Sequence, residues 1–292
     1  MIKLTSEFVK IFLPSRLSDS HKGDYGHTLV VAGSKQFTGA AILCSLGCIR
    51  CGSGLTTAAI PSSLNVQMTK RLPPEVMTVY LPDDEGYISP TAAKIILDFS
   101  SKRKITSIAF GCGISTELCT KIFTERFLLK NKVPIVIDAD GLNNIQKNVR
   151  VLKKMKSDAV ITPHPAELSR LMKIGISDIQ KNREKIAKNF AAKYGLICVL
   201  KGFETVISDG KNVFVNTTGN PGMATGGSGD ILTGMIASFI GQTKNLIDAA
   251  CLGVYLHGLA GDLAAREKTQ ISMLPTDLVD KIPEAIKMVI IT

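Results

Sequence analysis

NTTGNPGMATGGSGDILTGMIASFIG (residues 216–241) runs from a polar, glycine-rich loop directly into an apolar helical segment. Gly226, Gly227 and Gly229 allow backbone conformations that side chains would forbid, so successive amides can point into one small space. The predicted helix adds its free N–H groups and the positive end of its dipole at the same point. The stretch therefore predicts a binding site for an anion at the start of this helix.

Asp230 lies at the mouth of the predicted anion site. A carboxylate there could take a proton from a hydroxyl group held beside the anion. A structural role is the alternative, because Ser and Asp, here Ser228 and Asp230, are common at helix N-termini. Glycine-rich motifs also have many false positives, so the loop alone leaves both interpretations open.

Apolar runs of strand type alternate with helical patterns through most of the chain before this loop. The strand-type runs cover residues 27–34, 54–61, 76–81, 106–113, 134–141, 158–167, 196–202, 204–210 and 212–217. Helices are predicted over residues 39–51, 62–70, 90–101, 116–130 and 177–194, and residues 228–288 are rich in helix. This alternation predicts an α/β fold whose mostly parallel sheet is covered on both faces. The last three strands are close in sequence, which predicts at least one antiparallel pair.

The domain organisation predicted from the sequence is simple. No linker rich in Pro, Gly or Ser divides the chain, so we expect one domain over residues 22–292, preceded by a helical leader over residues 1–21. We find no apolar run near the ~20 residues of a membrane span. The first residues lack the apolar segment and cleavage site of a signal peptide. These features predict a cytoplasmic protein that does not contact a membrane.

The positive charge is concentrated in the middle of the chain. The formal net charge is +10, and residues 101–200 hold 19 Lys and Arg against 8 Asp and Glu. These charges are scattered at the spacing of solvent-facing helix positions, without interleaved aromatic residues or a nucleic-acid-binding motif. We therefore expect no nucleic-acid partner, and interpret the basic region as a surface that attracts anionic cofactors.

The chain contains seven cysteines, an odd number without the paired spacing of a secreted disulfide scaffold. Cys44, Cys48 and Cys51 have the C-x-x-x-C-x-x-C spacing of a radical iron–sulfur site, whose ligands would have to wrap the cluster from a loop. Here the three residues fall on one face of a predicted helix. We interpret them as buried packing residues, since free Cys is readily buried.

Polar and glycine-rich segments follow the apolar runs at their carboxyl ends: AGS, GCG, DADGLN, TPHPAE, LKG and GNPG. This is the edge at which open parallel sheets bind ligands. No Walker A sequence, Rossmann G-x-G-x-x-G, G-x-S-x-G elbow or H-E-x-x-H helix is present. A late anion loop followed by an aspartate instead suits phosphoryl transfer to a hydroxyl group.

Several segments together resemble a known family. GGSGD resembles the anion hole of the ribokinase-like superfamily, and TPHPAE resembles its T-P-N-x-x-E segment. KGDYGHTLVVAGS, FTGAA, AFGCG, VIDADGLN, ITPHPAE, VLKG and NPGMATGGSGDILTG resemble, in order, the blocks of the ADP/ATP-dependent NAD(P)H-hydrate dehydratases. The resemblance extends from about Lys22 to the helix around His257. It implies a three-layer αβα ribokinase-like fold.

The resemblance also implies a reaction and its partners. Members phosphorylate the ring hydroxyl of the S form of hydrated NADH or NADPH from ADP or ATP, with Mg²⁺, and phosphate then leaves to restore the ring. This is a lyase activity that repairs a damaged metabolite. Many bacterial members carry an epimerase domain before the dehydratase domain. Only about twenty residues precede it here, so we expect the dehydratase half alone, acting beside a separate epimerase. A homotetramer is also implied.

Site residues follow from the same resemblance. Asp230 is implied as the base, and Gly226, Gly227, Ser228 and Gly229 as the anion hole. The implied positions for the hydrated dinucleotide are Ala40, Gly113, His164 and Asp230. Those for ADP or ATP are Lys201, Gly202, Phe203, Glu204, Thr205 and Gly229. Glu167 is the candidate for magnesium, through water. Further candidates at the same edge are Asp138, Asp140 and Asn143.

Several of these residues also have a structural alternative. His164, between two prolines, could satisfy buried carbonyls, and Asp138 and Asp140 could cap the next helix. Lys201 could be a solvated lysine. His257, in an apolar helix, is interpreted as a core or interface residue and not as a catalyst.

This chain departs from the family pattern at two positions. Ala166 replaces the glycine of H-P-G-E, which could narrow the approach to the substrate, and Ser228 replaces a threonine, which keeps the hydroxyl. Two other functions remain open: a ribokinase-like kinase for a vitamin precursor or sugar, and a nucleotide-binding sensor without catalysis. The sequence does not distinguish ADP from ATP or NADH-hydrate from NADPH-hydrate.

Overall fold

The computed structural model describes residues 1–292. The strands are β1 (Ile2–Lys3), β2 (His27–Val31), β3 (Leu55–Pro61), β4 (Val76–Leu81), β5 (Asp83–Asp84), β6 (Tyr87–Ile88), β7 (Ser107–Phe110), β8 (Ile135–Ile137), β9 (Ala159–Ile161), β10 (Ile197–Leu200), β11 (Val206–Ser208) and β12 (Val213–Val215). The helices are α1 (Ser6–Lys10), α2 (Thr38–Arg50), α3 (Asn65–Thr69), α4 (Ala92–Lys102), α5 (Leu118–Lys130), α6 (Asp140–Ile145), α7 (Val151–Lys154), α8 (Pro165–Met172), α9 (Ile176–Lys181), α10 (Arg183–Tyr194), α11 (Ser228–Thr243), α12 (Leu246–Lys268) and α13 (Pro275–Ile291).

Ten strands form one sheet in the order β1-β12-β11-β10-β9-β8-β7-β2-β3-β4. The strands from β10 through β4 in this order are all parallel, whereas β11 is antiparallel to both of its neighbours. The predicted mostly parallel sheet and its antiparallel pair are therefore confirmed. The remaining two strands, β5 and β6, form a small hairpin that the sequence patterns did not predict.

Helices cover both faces of the sheet. In β2, Val30 belongs to the buried cluster that includes α2, α11, α12 and α13, whereas Leu29 and Val31 belong to the cluster that includes α4, α5 and α10. Successive strand residues point to opposite faces, so a strand buried on both sides is apolar throughout. The molecule therefore has the expected three-layer αβα architecture.

The N-terminal segment differs from the helix predicted over residues 1–21. Only Ser6–Lys10 is helical, and Ile2–Lys3 pairs with β12 at the edge of the sheet. Helix α1 contacts α12 and α13, and Phe8 packs against their core cluster. Tertiary contacts with the sheet edge override the local helical pattern here. The domain boundary at residue 22 stays a prediction.

The helix predicted over residues 177–194 is two helices, α9 and α10. Asn182 lies between them with φ −134° and ψ 36°, outside the helical region. Asn competes with helical hydrogen bonding through its side chain, and its amide here donates to the Asp178 carbonyl. This residue accounts for the interruption.

Helix α12 corrects the expectation about long apolar runs. It has 23 residues, and a window of mean hydropathy 1.3 makes it long and apolar enough to span a membrane by length and composition. In the structure, 72% of that window is buried inside the protein, between α11 and α13. Burial of this kind is what a core helix of a folded domain shows.

Helices α2 and α11 approach until their backbones touch. A Cβ atom on Gly234 would lie 2.0 Å from the Cys44 carbonyl oxygen, and one on Gly47 would lie 2.4 Å from that of Ile231. The Cys48 thiol donates a hydrogen bond to the Gly234 carbonyl at 3.3 Å. Cys44, Cys48 and Cys51 are all buried with free thiols, which confirms their interpretation as packing residues.

Gly234→Ala should destabilise the protein by about 2–3 kcal/mol, because the added methyl meets a backbone carbonyl that cannot turn away. Gly39→Ala, in α2, is the matched control. A Cβ atom there has no neighbour within 4 Å, so it should stabilise by about 0.5–1 kcal/mol through helix propensity. Urea unfolding measures both changes. Equal effects of the two substitutions would contradict the proposed contact.

Candidate active site

A cavity of about 960 Å³ opens at the carboxyl ends of β8, β9 and β10. These three strands are followed by Asp138, by the segment containing His164, and by Lys201, respectively. Most of the predicted site residues line this cavity: Asp138, His164, Glu167, Lys201, Gly202, Phe203, Glu204, Thr205, Gly227, Ser228, Gly229 and Asp230. The volume is in the range of pockets for small-molecule ligands.

The first turn of α11 carries backbone amides that no side chain caps. Gly227 is the N-cap residue, with φ +101°, and a Cβ atom there would lie 2.5 Å from the Leu43 side chain. The Gly229 and Asp230 amides donate to no protein group. This geometry rules out the interpretation of Ser228 and Asp230 as side-chain caps. It leaves two free donors at the positive end of a 16-residue helix.

Asp230 is the acidic residue of this first turn, and it lines the cavity. Burial raises the pKa of its carboxyl to about 7, and the nearby Asp138 carboxylate adds to the rise. The Cys112 thiol and the Lys201 ammonium act in the opposite direction and lower the pKa. A carboxylate with a pKa near 7 is matched to accepting a proton at neutral pH.

Lys201 holds the buried carboxylates of the site together. Its Nζ lies 2.5 Å from Asp138 Oδ1 and 3.9 Å from Glu167 Oε2. Burial by itself lowers the pKa of Lys201, but the two carboxylates outweigh it and the net pKa is raised. Thr233 donates to Asp138 Oδ2 at 2.8 Å, so both oxygens of this carboxylate are satisfied. The interpretation of Lys201 as a solvated surface residue is therefore wrong.

His164 and Glu167 form a capping box at the start of α8, with Pro165 in the first turn. His164 Nδ1 accepts from the Ala166 and Glu167 amides, and Glu167 Oε2 accepts from the His164 amide at 2.8 Å. Burial and the positive charge of Lys201 lower the pKa of His164. Nδ1 is thus the acceptor, and Nε2 lies 3.4 Å from Glu167 Oε1, so both nitrogens of the ring face the start of α8.

Ala40, Gly113 and Gly226 are not among the residues that line the cavity. Ala40 and Gly113 adjoin each other, since a Cβ atom on Gly113 would lie 2.8 Å from that of Ala40. They form a neighbouring patch where α2 begins and β7 ends. A Cβ atom on Gly226 would have no neighbour within 4 Å.

Asp140 and Asn143 are hydrogen-bonded to protein groups beside this patch. The Ser115 amide and the Asn143 side chain both donate to Asp140, and Arg170 donates to Asn143 Oδ1 at 3.0 Å. Asp140 nevertheless contributes to raising the pKa of Asp230, so it belongs to the same electrostatic environment.

Two residues of α12 contact the cavity or its loop, and the sequence patterns assigned neither of them to the site. His257 is buried in α12, as its interpretation as a core residue predicted, and it also lines the cavity. Asp262, also in α12, accepts from the Gly219 amide at 2.9 Å and the Asn220 side chain at 3.0 Å. Only the packing of α12 against the loop reveals these roles. The three-residue spacing of Asp230 and Thr233, by contrast, places both on one helix face and could have suggested Thr233.

The fold and this cavity define a ribokinase-like protein, with an uncapped helix N-terminus and a carboxylate at the ends of a parallel sheet. Residues 28–284 match the sequence model of a family described as NAD(P)H-hydrate dehydratase. The chain belongs to this family.

Known relatives and a solved structure agree with this assignment. The ADP-dependent (S)-NAD(P)H-hydrate dehydratase of Bacillus subtilis is 34% identical over 285 residues, 97% of each chain. The bifunctional NAD(P)H-hydrate repair enzyme of Moorella thermoacetica is 40% identical over 97% of this chain and 53% of its own length. This chain therefore spans about half the length of the bifunctional relatives. A crystal structure of the Bacillus subtilis ADP/ATP-dependent enzyme, co-crystallized with ATP/Mg²⁺, superposes with a TM-score of 0.84 at 30% identity, covering 99% and 98% of the two chains.

Lys201→Met should destabilise the protein by about 2–4 kcal/mol, because Asp138 and Glu167 are left buried without their cation. Adding Asp138→Asn should recover part of the loss. Lys281→Met removes a lysine from a surface ion-pair network and should cost less than about 1 kcal/mol. Urea unfolding compares the three proteins, and equal losses for the two lysines would contradict the buried role of Lys201.

Asp230→Asn should stabilise the protein at alkaline pH. The pKa of Asp230 rises from 3.8 to about 7 on folding, so the folded state retains a proton that the unfolded chain releases. Wild-type stability attributable to this group therefore falls as pH rises from about 4 to 7. At pH 8 the variant should gain on the order of 2 kcal/mol, and the gain should vanish toward pH 4.

Unfolding free energies measured at pH 5, 6.5 and 8 test this expectation. Asp98→Asn changes an exposed aspartate on α4 and serves as the control. A difference between Asp230→Asn and the wild type that does not change with pH would contradict the raised pKa.

Proposed function

We propose that this chain dehydrates the S form of hydrated NADH or NADPH to NADH or NADPH at the expense of ADP or ATP. One observation carries the proposal. A carboxylate with a pKa of about 7, Asp230, lies in the same helical turn as two free backbone amides. A hydroxyl acceptor needs a base, and a moving phosphoryl group needs donors for its charge.

The reaction follows from this arrangement. The Asp230 carboxylate takes the proton of the ring hydroxyl while the oxygen of that hydroxyl attacks the terminal phosphorus of the nucleotide. The new O–P bond forms as the P–O bond to the departing nucleotide breaks. The amides of Gly229 and Asp230, with the Ser228 hydroxyl, neutralise the charge of the transferred group. The bond between the ring carbon and the phosphate oxygen then breaks, the adjacent ring carbon loses a proton to the departing phosphate, and the double bond between the two carbons returns.

ADP or ATP would bind along Lys201–Thr205. Gly202 has φ +139°, and Arg183 donates to the Leu200 and Lys201 carbonyls, which holds the start of this segment in place. Phe203 is 86% exposed at the rim of the cavity, where an apolar face can cover a nucleotide base. Lys201 and Gly229 connect the segment to the anion site, since a Cβ atom on Gly229 would lie 3.4 Å from Lys201 Nζ.

Magnesium would be bound mainly by the nucleotide phosphates. The protein contains no group of three or more His, Cys, Asp or Glu residues arranged to hold a metal ion. Glu167 is buried beside Lys201 and already accepts from the His164 amide. This donor set fits Mg²⁺, which keeps several waters and uses few protein carboxylates. Glu167 would contact the ion through water, and the ion would neutralise phosphate charge.

The hydrated dinucleotide would approach from Ala40, Gly113 and His164. The Cys112 thiol, next to Gly113, lowers the pKa of Asp230, which relates this patch to the base. Gly226 would complete the rim of the anion loop. Asp138, Asp140 and Asn143 would support this edge of the site. The chain would act in the cytoplasm as a homotetramer, together with an epimerase activity that supplies the S form of the hydrate.

A recovery assay tests the proposal. Wild-type protein incubated with Mg²⁺, ADP or ATP, and hydrated NADH should restore the absorbance of the reduced nicotinamide. Asp230→Asn should lower kcat by about 100- to 10,000-fold, because the base is lost while the site keeps its shape. Its affinity for ADP, measured by calorimetric titration, should change little. Running both nucleotides and both hydrates also identifies the preferred pair.

The pH profile of the same assay reports the base directly. Asp230 must be deprotonated to act, so kcat/KM should rise with pH through a midpoint near its pKa of about 7. A flat profile between pH 5 and 8 would contradict this role.

The other two functions predict different results. Stable phosphorylation of a vitamin or sugar alcohol, with no recovery of reduced nicotinamide, would identify a small-molecule kinase instead. Nucleotide binding without any turnover would identify a sensor.

A further inference from the structure

One face of α12 contacts the loop that precedes α11 at Thr218 and Gly219. A Cβ atom on Gly258 would lie 2.2 Å from Thr218 Oγ1, and this hydroxyl donates to the Tyr255 carbonyl at 2.8 Å. Asp262 accepts from the amide of Gly219. The contacts occur at successive turns of one helix. Helix α12 therefore sets the position of the loop.

His257 extends these contacts to the anion site itself. Its Nε2 lies 2.9 Å from the Ser228 carbonyl oxygen and 3.3 Å from Ser228 Oγ. Both residues are buried, with 8% and 6% of their surface exposed. A carbonyl oxygen can only accept, so the proton of the ring must be on Nε2. His257 is therefore the Nε2–H tautomer and donates toward Ser228.

We propose that His257 is a positioning residue that holds Ser228 so that its hydroxyl donates to the phosphoryl group in the anion site. This role rests on the proposed function and adds to it. Because the Nε2–H group occupies an acceptor direction of Oγ, the hydroxyl hydrogen is directed away from His257. Both residues line the cavity, and a hydroxyl that does not donate to His257 is left to donate to a phosphoryl group bound there. The Ser228 hydroxyl then adds a third donor to the Gly229 and Asp230 amides.

His257 stays neutral while it does this. Burial lowers its pKa to about 4, the Ser228 carbonyl opposes the change, and the positive charge of Lys201 across the cavity lowers the pKa further. A neutral ring adds no charge beside Asp230. The positive potential of the site thus comes from Lys201 and the helix terminus.

Kinetics separate this role from a merely structural one. His257→Phe keeps an aromatic ring but removes the donor, and should lower kcat by about 10- to 30-fold with KM for ADP within about twofold. His257→Gln restores an N–H donor and should return to within about threefold of the wild-type kcat. Cys251→Ala is the matched control, because Cys251 is buried in the same helix but does not line the cavity. It should lower Tm without lowering kcat.

A double variant tests whether His257 acts through Ser228. In a Ser228→Ala background the hydroxyl is absent, so His257→Phe should cost less than it does in the wild type. Fully additive losses would overturn the proposal. An equal loss of kcat in His257→Phe and His257→Gln, or a loss of kcat in Cys251→Ala, would also overturn it.

A spectroscopic measurement tests the geometry without depending on turnover. In wild-type protein labelled with ¹⁵N-histidine, the resonances of His257, one of four histidines, are assigned by their loss in His257→Gln. They should show a neutral Nε2–H tautomer from pH 5 to 8 and should shift when inorganic phosphate is added. The Nδ1–H tautomer, titration in this range, or no response to phosphate would overturn the proposal. A wild type that shows these signals but recovers no reduced nicotinamide would contradict the proposed reaction alone.

Discussion

The backbone contact between α2 and α11 is the constraint on which the site depends. At the crossing, Gly234 of α11 lies against the Cys44 carbonyl, and Gly47 of α2 lies against the Ile231 carbonyl, with no side chain between the two backbones. Helix α11 is therefore fixed in the layer above the sheet, and its first turn lies at the carboxyl ends of β8 and β10. A helix displaced by a methyl group at Gly234 would carry its free amides away from Asp138 and Lys201. The packing of α2 against α11 thus also fixes the position of the predicted anion site.

Electrostatic balance at the sheet edge follows from this placement. The carboxylates of Asp138, Glu167 and Asp230 gather around one lysine, Lys201. The lysine binds the first two, and its remaining influence on Asp230 is too small to offset burial. Burial therefore raises the pKa of Asp230 to about 7, and Lys201 offsets only part of this rise. The same network leaves Asp230 with a raised pKa, so the ionised form of this carboxyl costs stability at neutral pH.

Much of the fold could be predicted from the sequence, because buried parallel strands leave continuous apolar runs and glycines punctuate their ends. Strand β4 has the predicted bounds, and β2, β3 and β7 lie within theirs. The N-terminal strand β1 could not be predicted, because two residues carry no pattern and pairing with β12 decides their conformation. The loop GGSGD indicated an anion site by its composition, but only the structure shows that no side chain caps the helix. His257 was hidden by its apolar neighbours in α12.

The position of Asp230 suits the two-ligand reaction that we propose. On one side the residue adjoins Lys201 and the segment that follows β10; on the other it is within electrostatic reach of Cys112, beside the Ala40–Gly113 patch. A carboxylate between two sites can serve a reaction in which a group passes from one ligand to the other. A sensor would need neither a base with a pKa near 7 nor free amides directed at the same point. A carboxylate with a pKa of about 7 beside free backbone amides is the arrangement that the proposed transfer requires.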